Sequence, residues 1–178
     1  SQLPSMDLKD SAFTWAMWLN PSSGDGFPQG IVGNYLGLEN TDMNTTGDAR
    51  KSYPTLLRVG RSLRFGFGAD IDQDGDSDEW LPVQTGSVLE ENEWNHVVVS
   101  FGPVYDEAGQ FDQNQVTFFV NGERVHSQGV GDSAVRYHET DNRSINLGRV
   151  SHRAQANLDR FSVYQAGDGA GDAEIYLQ

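Results

Sequence analysis

Cysteine is absent from the 178 residues, which excludes disulfide frameworks, zinc ribbons, iron–sulfur sites and thiol nucleophiles at once. Lysine is almost as scarce, with only Lys9 and Lys51, the other ten bases being arginine. Against these 12 bases stand 26 acids, 17 of them Asp, for a net charge of −14 and a pI near 4.4. Such a surface repels phosphate backbones and anionic bilayers, so nucleic acid is excluded as a partner and cations are the natural counterpart. No apolar run approaches the roughly 18 residues of a membrane-spanning helix. The opening residues, Ser1 to Phe13, carry neither the basic nor the apolar stretch of a signal peptide. We expect no membrane insertion, and we read residues 1–178 as a single, monomeric domain excised from a longer protein.

Helical periodicity is missing too: no long window holds apolar residues at i, i+3 and i+4. What the chain has instead is 20 glycines and short apolar bursts, the pattern of strands joined by turns. Phe13, Trp15, Met17 and Leu19 alternate with Thr14, Ala16 and Trp18, and Pro21 is expected to end that strand in a central ladder. Further strands are expected at Gly30 to Tyr35, Thr55 to Val59, Ser62 to Phe67, Trp94 to Phe101, Gln115 to Val120, Glu123 to Ser127, Ser144 to Gly148 and Asp159 to Tyr164. In the Trp94 strand, Val97, Val99 and Phe101 form the core face. Asn121-Gly122 between two apolar runs specifies a hairpin with a type I′ turn. Loops are expected at Asn40 to Ser52, Asp70 to Glu79, Tyr105 to Asn114 and Gly129 to Arg143, and the Gly- and Asp-rich stretch Ala166 to Asp172 is flexible by composition. So many strands call for an all-β fold of two stacked sheets.

The chemical signal is the run from Asp70 to Trp80. It holds six carboxylates in ten residues without a base, namely Asp70, Asp72, Asp74, Asp76, Asp78 and Glu79, with Gly75 between them. Calcium takes six to eight oxygens and tolerates irregular geometry, so alternating carboxylates in a loop that turns at Gly converge on one ion. With Asp70 at loop position 1, Gly75 falls at the turn position 6, but Leu81 stands where an EF-hand carries its closing Glu. The loop is therefore not an EF-hand, and a further ligand is expected from Glu79, Asp42, Asp48 or water.

Trp80 adjoins this run and is the aromatic candidate for a sugar-stacking wall; the alternative is that Trp80 to Val83 re-enters a strand and buries the ring. Trp15, Trp18 and Trp94 are expected in the core or between sheets. Asp159 reads as a carboxylate that caps backbone or pairs with an arginine. His96, His126, His138 and His152 lack metal-ligand spacing, and no nucleophile elbow, phosphate loop or dinucleotide fingerprint occurs.

Five segments in order resemble the laminin G-like, concanavalin A-like jelly roll: Phe13 to Pro21, Trp94 to Phe101, Val116 to Val125, Ile145 to Gly148, and Leu158 to Tyr164 with Glu174-Ile175. The resemblance spans nearly the whole chain and implies a two-sheet antiparallel jelly-roll β-sandwich with long rim loops. Glycosidases share that fold and need a pair of carboxylates, but the Glu-x-Asp-x-x-Glu or Glu-x-Asp-x-Glu arrangement is absent here. The expectation is a non-catalytic, calcium-binding recognition module of an extracellular bacterial protein, binding a glycan through Trp80 and Glu79. The alternative is a domain that binds a protein ligand, or a calcium-rigidified spacer, in a large adhesin.

Overall fold

A computed structural model describes residues 2–3, 8, 11–22, 28–33, 54–70, 79–135, 145–147 and 156–165, with 2–3, 28, 79, 145–146 and 156–165 described through the backbone alone. Twelve strands follow in chain order: β1 (Gln2–Leu3), β2 (Phe13–Pro21), β3 (Pro28–Gly33), β4 (Thr55–Val59), β5 (Ser62–Asp70), β6 (Glu79–Ser87), β7 (Asn95–Tyr105), β8 (Phe111–Val120), β9 (Glu123–Gly129), β10 (Ala134–Val135), β11 (Ile145–Leu147) and β12 (Ala156–Gln165). They form two antiparallel sheets. One has seven strands in the order β1-β11-β3-β4-β5-β10, with β6 also on β5; the other has five, β12-β2-β7-β8-β9. Hairpins β3-β4-β5, β5-β6 and β7-β8-β9 alternate with pairings between strands distant in sequence, β1 with β11, β11 with β3, β12 with β2 and β2 with β7, as in the jelly roll expected from the sequence. No helix is long and apolar enough to cross a membrane among the described residues.

Period-two alternation decides what enters the space between the sheets. From the five-stranded sheet come Phe13, Trp15, Met17, Leu19, Val97, Val99, Phe101, Val116, Phe118 and Val120, and from the other Leu56, Leu63, Phe65, Phe67, Ala69 and Val83, all buried in one cluster. Each such side chain contributes about 1.5–3 kcal/mol by leaving water. The centre is aromatic: Trp15 meets Phe65 edge-on at 5.6 Å, and Phe67 meets Phe101 at 5.2 Å, so ring contacts join the two sheets.

The Asn121-Gly122 hairpin forms as expected, with φ of 52° and 84° at the two turn residues, the positive pair that a type I′ turn requires. Other boundaries move for physical reasons. β2 runs through Pro21, which pairs only with Ala156 of β12, while pairing with β7 stops at Leu19 opposite Asn95; a residue without an N–H is tolerated where one ladder has already ended. The third strand spans Pro28–Gly33 rather than starting at Gly30. The segment from Tyr105 to Asn114, expected as a loop, is half ladder: β7 and β8 pair out to Tyr105 opposite Phe111, and the turn is confined to 106–110. The loop expected at Gly129 to Arg143 contains β10, paired to Ala69 and Asp70. The expected loop at Asn40 to Ser52 and the stretch Ala166 to Asp172 lie outside the described residues.

The ends of the sandwich differ in construction. At the end holding the β4–β5 and β8–β9 turns, Arg58 is buried and donates to Gly60 O (2.6 Å), Gln29 Oε1 (3.3 Å) and Glu91 Oε1 (3.2 Å). Arg61 donates to Leu89 O and pairs with Glu90 at 2.7 Å. Asn95 is fully buried, its Nδ2 lying 2.9 Å from the carbonyl oxygens of Glu90 and Glu93 and its Oδ1 accepting from Glu90 N–H. The opposite end holds Asp70, Glu79, the β7–β8 turn and residues 130–135.

Candidate functional site

β5 sends Leu63, Phe65, Phe67 and Ala69 into the core, so Arg64, Gly66, Gly68 and Asp70 face outward. β6 lies beside it with Trp80 opposite Gly68, Pro82 opposite Gly66 and Gln84 opposite Arg64. The outer face of the seven-stranded sheet thus carries one strip, Asp70, Trp80, Pro82, Gln84 and Arg64. Arg64 Nε donates to Gln84 Oε1 across the strands at 2.7 Å. The Trp80 indole lies on Gly66, where any Cβ would fall inside the ring. Gly66, without a side chain, makes the floor on which it rests, and Gly68 is its cross-strand partner.

This geometry answers the question the sequence left open about Trp80. The residue does enter a strand, but on the outward face, and it is half-buried against Gly66 rather than built into the core cluster. Its indole Nε1 is buried and has no hydrogen-bond partner among the described residues. The strip therefore offers an aromatic surface flanked by the Gln84 amide and the Arg64 guanidinium, donors and an acceptor that orient a polyhydroxylated ligand, while Asp70 at its end is buried.

The acidic run resolves into two strand ends and a connection. Asp70 is the last residue of β5, buried and opposite Ala134 of β10; Glu79 opens β6 opposite Ala69. The expected ligands Asp72, Asp74, Asp76 and Asp78 lie in the hairpin connection 71–78, outside the described residues. Among the described residues no group of three or more His, Asp or Glu stands together as a metal site.

Two expectations about tryptophan are corrected. Trp15 is fully buried, but Trp18 is 40% exposed and Trp94 47%. Trp18 stands on the solvent face of β2 against the His96 ring, centroids 5.1 Å apart. Trp94 precedes the buried Asn95 and so points the other way. Both follow the strand period outward; the expectation of core positions rested on their place in strands that resemble the jelly-roll family. The sequence also left Tyr105 without a role and passed over Phe111. They are 59% and 50% exposed and stand opposite each other at the end of the β7–β8 ladder. An Asp106 and Gly109 turn between two aromatics six residues apart was the available signal.

Residues 1–167 match the family model described as the concanavalin A-like lectin/glucanases superfamily. No curated protein matches the chain significantly. Among solved structures, the Ruminococcus gnavus IT-sialidase CBM40 bound to α2,3-sialyllactose is 13% identical with a TM-score of 0.55, over 86% of this chain and 75% of that one. A second structure of the Ruminococcus gnavus IT-sialidase CBM40 is 14% identical with a TM-score of 0.52, over 88% of this chain and 76% of that one. At such identities the likeness is one of fold.

Proposed function

We propose, because the chain belongs to the concanavalin A-like lectin/glucanases superfamily, that it is a non-catalytic glycan-binding module of an extracellular protein, with the Trp80, Gln84 and Arg64 strip as its contact face. The observation that carries this reading is the Trp80 indole laid on Gly66, outward from the core, with polar cross-strand neighbours along the strip. Sugars bind by placing C–H faces on aromatic rings while hydroxyls reach planar polar groups. A module of similar fold binds sialyllactose, which supports the ligand class. The missing carboxylate motif of the glycosidases supports the absence of catalysis. Fold alone decides neither point.

Calcium belongs to the same proposal. The connection 71–78 adds Asp72, Asp74, Asp76 and Asp78 between Asp70 and Glu79, and a divalent ion would relieve their mutual repulsion and fix the loop beside the strip. A glycan array run with and without calcium tests both parts. The expected result is sugar binding that Trp80→Ala weakens about tenfold or more and that chelator reduces. Silence across the array in calcium would overturn the glycan reading, and signals indifferent to chelator would overturn the ion's part in it.

A further inference from the structure

We propose that the tip of the β7–β8 hairpin is a second saccharide contact, in which Tyr105 and Phe111 are the stacking faces and the surrounding carboxylates restrict the ligand to uncharged sugars. The inference rests on the glycan-binding reading above, but on different residues.

The tip stands clear of the sandwich. β2 pairs with β7 only as far as Phe101, and β9 pairs with β8 only from Gln115. Asn114 is still held, accepting from Val130 N–H and donating to Gly131 O and Ser133 O. Beyond it, residues 105–112 are exposed throughout. Cross-strand partners share one face of a ribbon, so Tyr105 and Phe111, opposite each other, place two exposed rings on the same face of the tip. A register shift between Val104 and Tyr105 re-aims the pair relative to the strands below.

This tip is held in shape before any ligand arrives. Asp106 N–H donates to Gln110 O at 2.8 Å, Gly109 N–H to Asp106 O at 3.0 Å, and Asp106 Oδ1 accepts from both Ala108 and Gln110 N–H. Gly109, at φ 76°, supplies the left-handed residue the turn needs. Two large hydrophobic side chains more than half or half exposed on a preorganised element are costly to leave in water and cheap to bind with.

Size and charge choose the occupant. The apolar area is two rings, bounded by Asp106, Glu107, Gln110, Asp112 and Gln113. That is far below the roughly 800 Å² per partner of a stable protein interface, and it matches one or two sugar rings. The arginines whose side chains are described, Arg58, Arg61, Arg64 and Arg124, belong to the other end or the middle of the sandwich; at this end the described charged side chains are Asp70, Asp106, Glu107, Asp112 and Asp132. An anionic sugar entering here meets only its own sign of charge among the described residues.

Matched oligosaccharides with and without sialic acid on the same core, presented to the full chain in calcium, test the proposal. Binding to the neutral members is expected to exceed binding to the sialylated ones. Tyr105→Ala and Phe111→Ala are each expected to weaken neutral-sugar binding about three- to tenfold, with Tyr105→Phe restoring most of it. Circular dichroism should show these variants melting within a few degrees of the parent, since the rings are exposed. If sugars bind, Trp80→Ala weakens them and the tip variants do not, the second contact is overturned while the glycan reading stands. Preference for sialylated members overturns the charge selection. Binding of no sugar at all overturns both readings together.

Discussion

The two ends of this sandwich are built from opposite materials. At one, Arg58 and Arg61 are matched to Glu91 and Glu90, and Asn95 is enclosed by backbone groups of the 90–93 turn. At the other, the described charges are all acidic, the large side chains Tyr105 and Phe111 stand in water, and Asp70 sits at the foot of a connection with four more aspartates. Exposed rings alone do not separate the ends, since Trp18 and Trp94 stand in water at the first; satisfied polar groups hold a structure together, whereas like charges left side by side weaken it unless something binds. The first end is where the fold is secured, and the second is where we place recognition.

Substitutions should therefore separate stability from binding according to the end they touch. Asn95→Ala strands the buried carbonyls and N–H of the 90–93 turn and should cost about 2–3 kcal/mol, read as a fall in Tm of roughly 5–10 °C, with sugar affinity unchanged. Arg58→Leu should follow at about 2 kcal/mol: it leaves Gln29 buried without its donor, but Glu91 is 31% exposed and regains water. At the other end, Trp80→Ala should cost about 1.4 kcal/mol of affinity, a tenfold change, measured by titration calorimetry, and little stability.

Calcium sharpens the contrast further. At tenfold excess over its dissociation constant an ion bound only by the folded protein adds about 1.4 kcal/mol, which scanning calorimetry should register as a rise of roughly 3–6 °C. Asp72→Ala with Asp74→Ala should abolish that rise; an unchanged response would remove the connection 71–78 from consideration as the site. Magnesium should substitute poorly, because it demands tighter octahedral geometry. The smallest effect belongs to Arg61→Ala, whose pair with Glu90 is largely exposed and worth no more than about 0.5 kcal/mol.

How far the sequence showed all this depends on which force shaped each part. Hydrophobic alternation is a strong signal, so Phe13 to Leu19, the Trp94 strand and the hairpin at Asn121-Gly122 were legible, and with them the two-sheet fold. β6 is legible only as the alternative at Trp80 to Val83, because Pro82 and Gly86 interrupt its alternation. Its Pro is tolerated because, among the described residues, β6 pairs with β5 alone. The β7–β8 extension was read as a loop because Asp, Glu and Gln dominate it; backbone pairing, which leaves no mark on composition, makes it a ladder. For Trp18 and Trp94 the resemblance to the family's strands points inside, whereas the phase of the strand points outward, and the phase decides. For the candidate site, Asp70, Glu79 and Trp80 were legible as a cluster of chemistry, whereas the Gly66 floor needed the register of β5 on β6 to be seen.

The most direct test is a titration of ¹⁵N-labelled protein with a sugar found on the array, following amide shifts residue by residue. Perturbations concentrated at 64–70, 79–84 and 103–113, with 58–61, 88–95 and 121–124 unmoved, are the expected result. Shifts centred on the arginine-bearing end, with Trp80, Tyr105 and Phe111 still, would contradict the assignment of recognition to the acidic end.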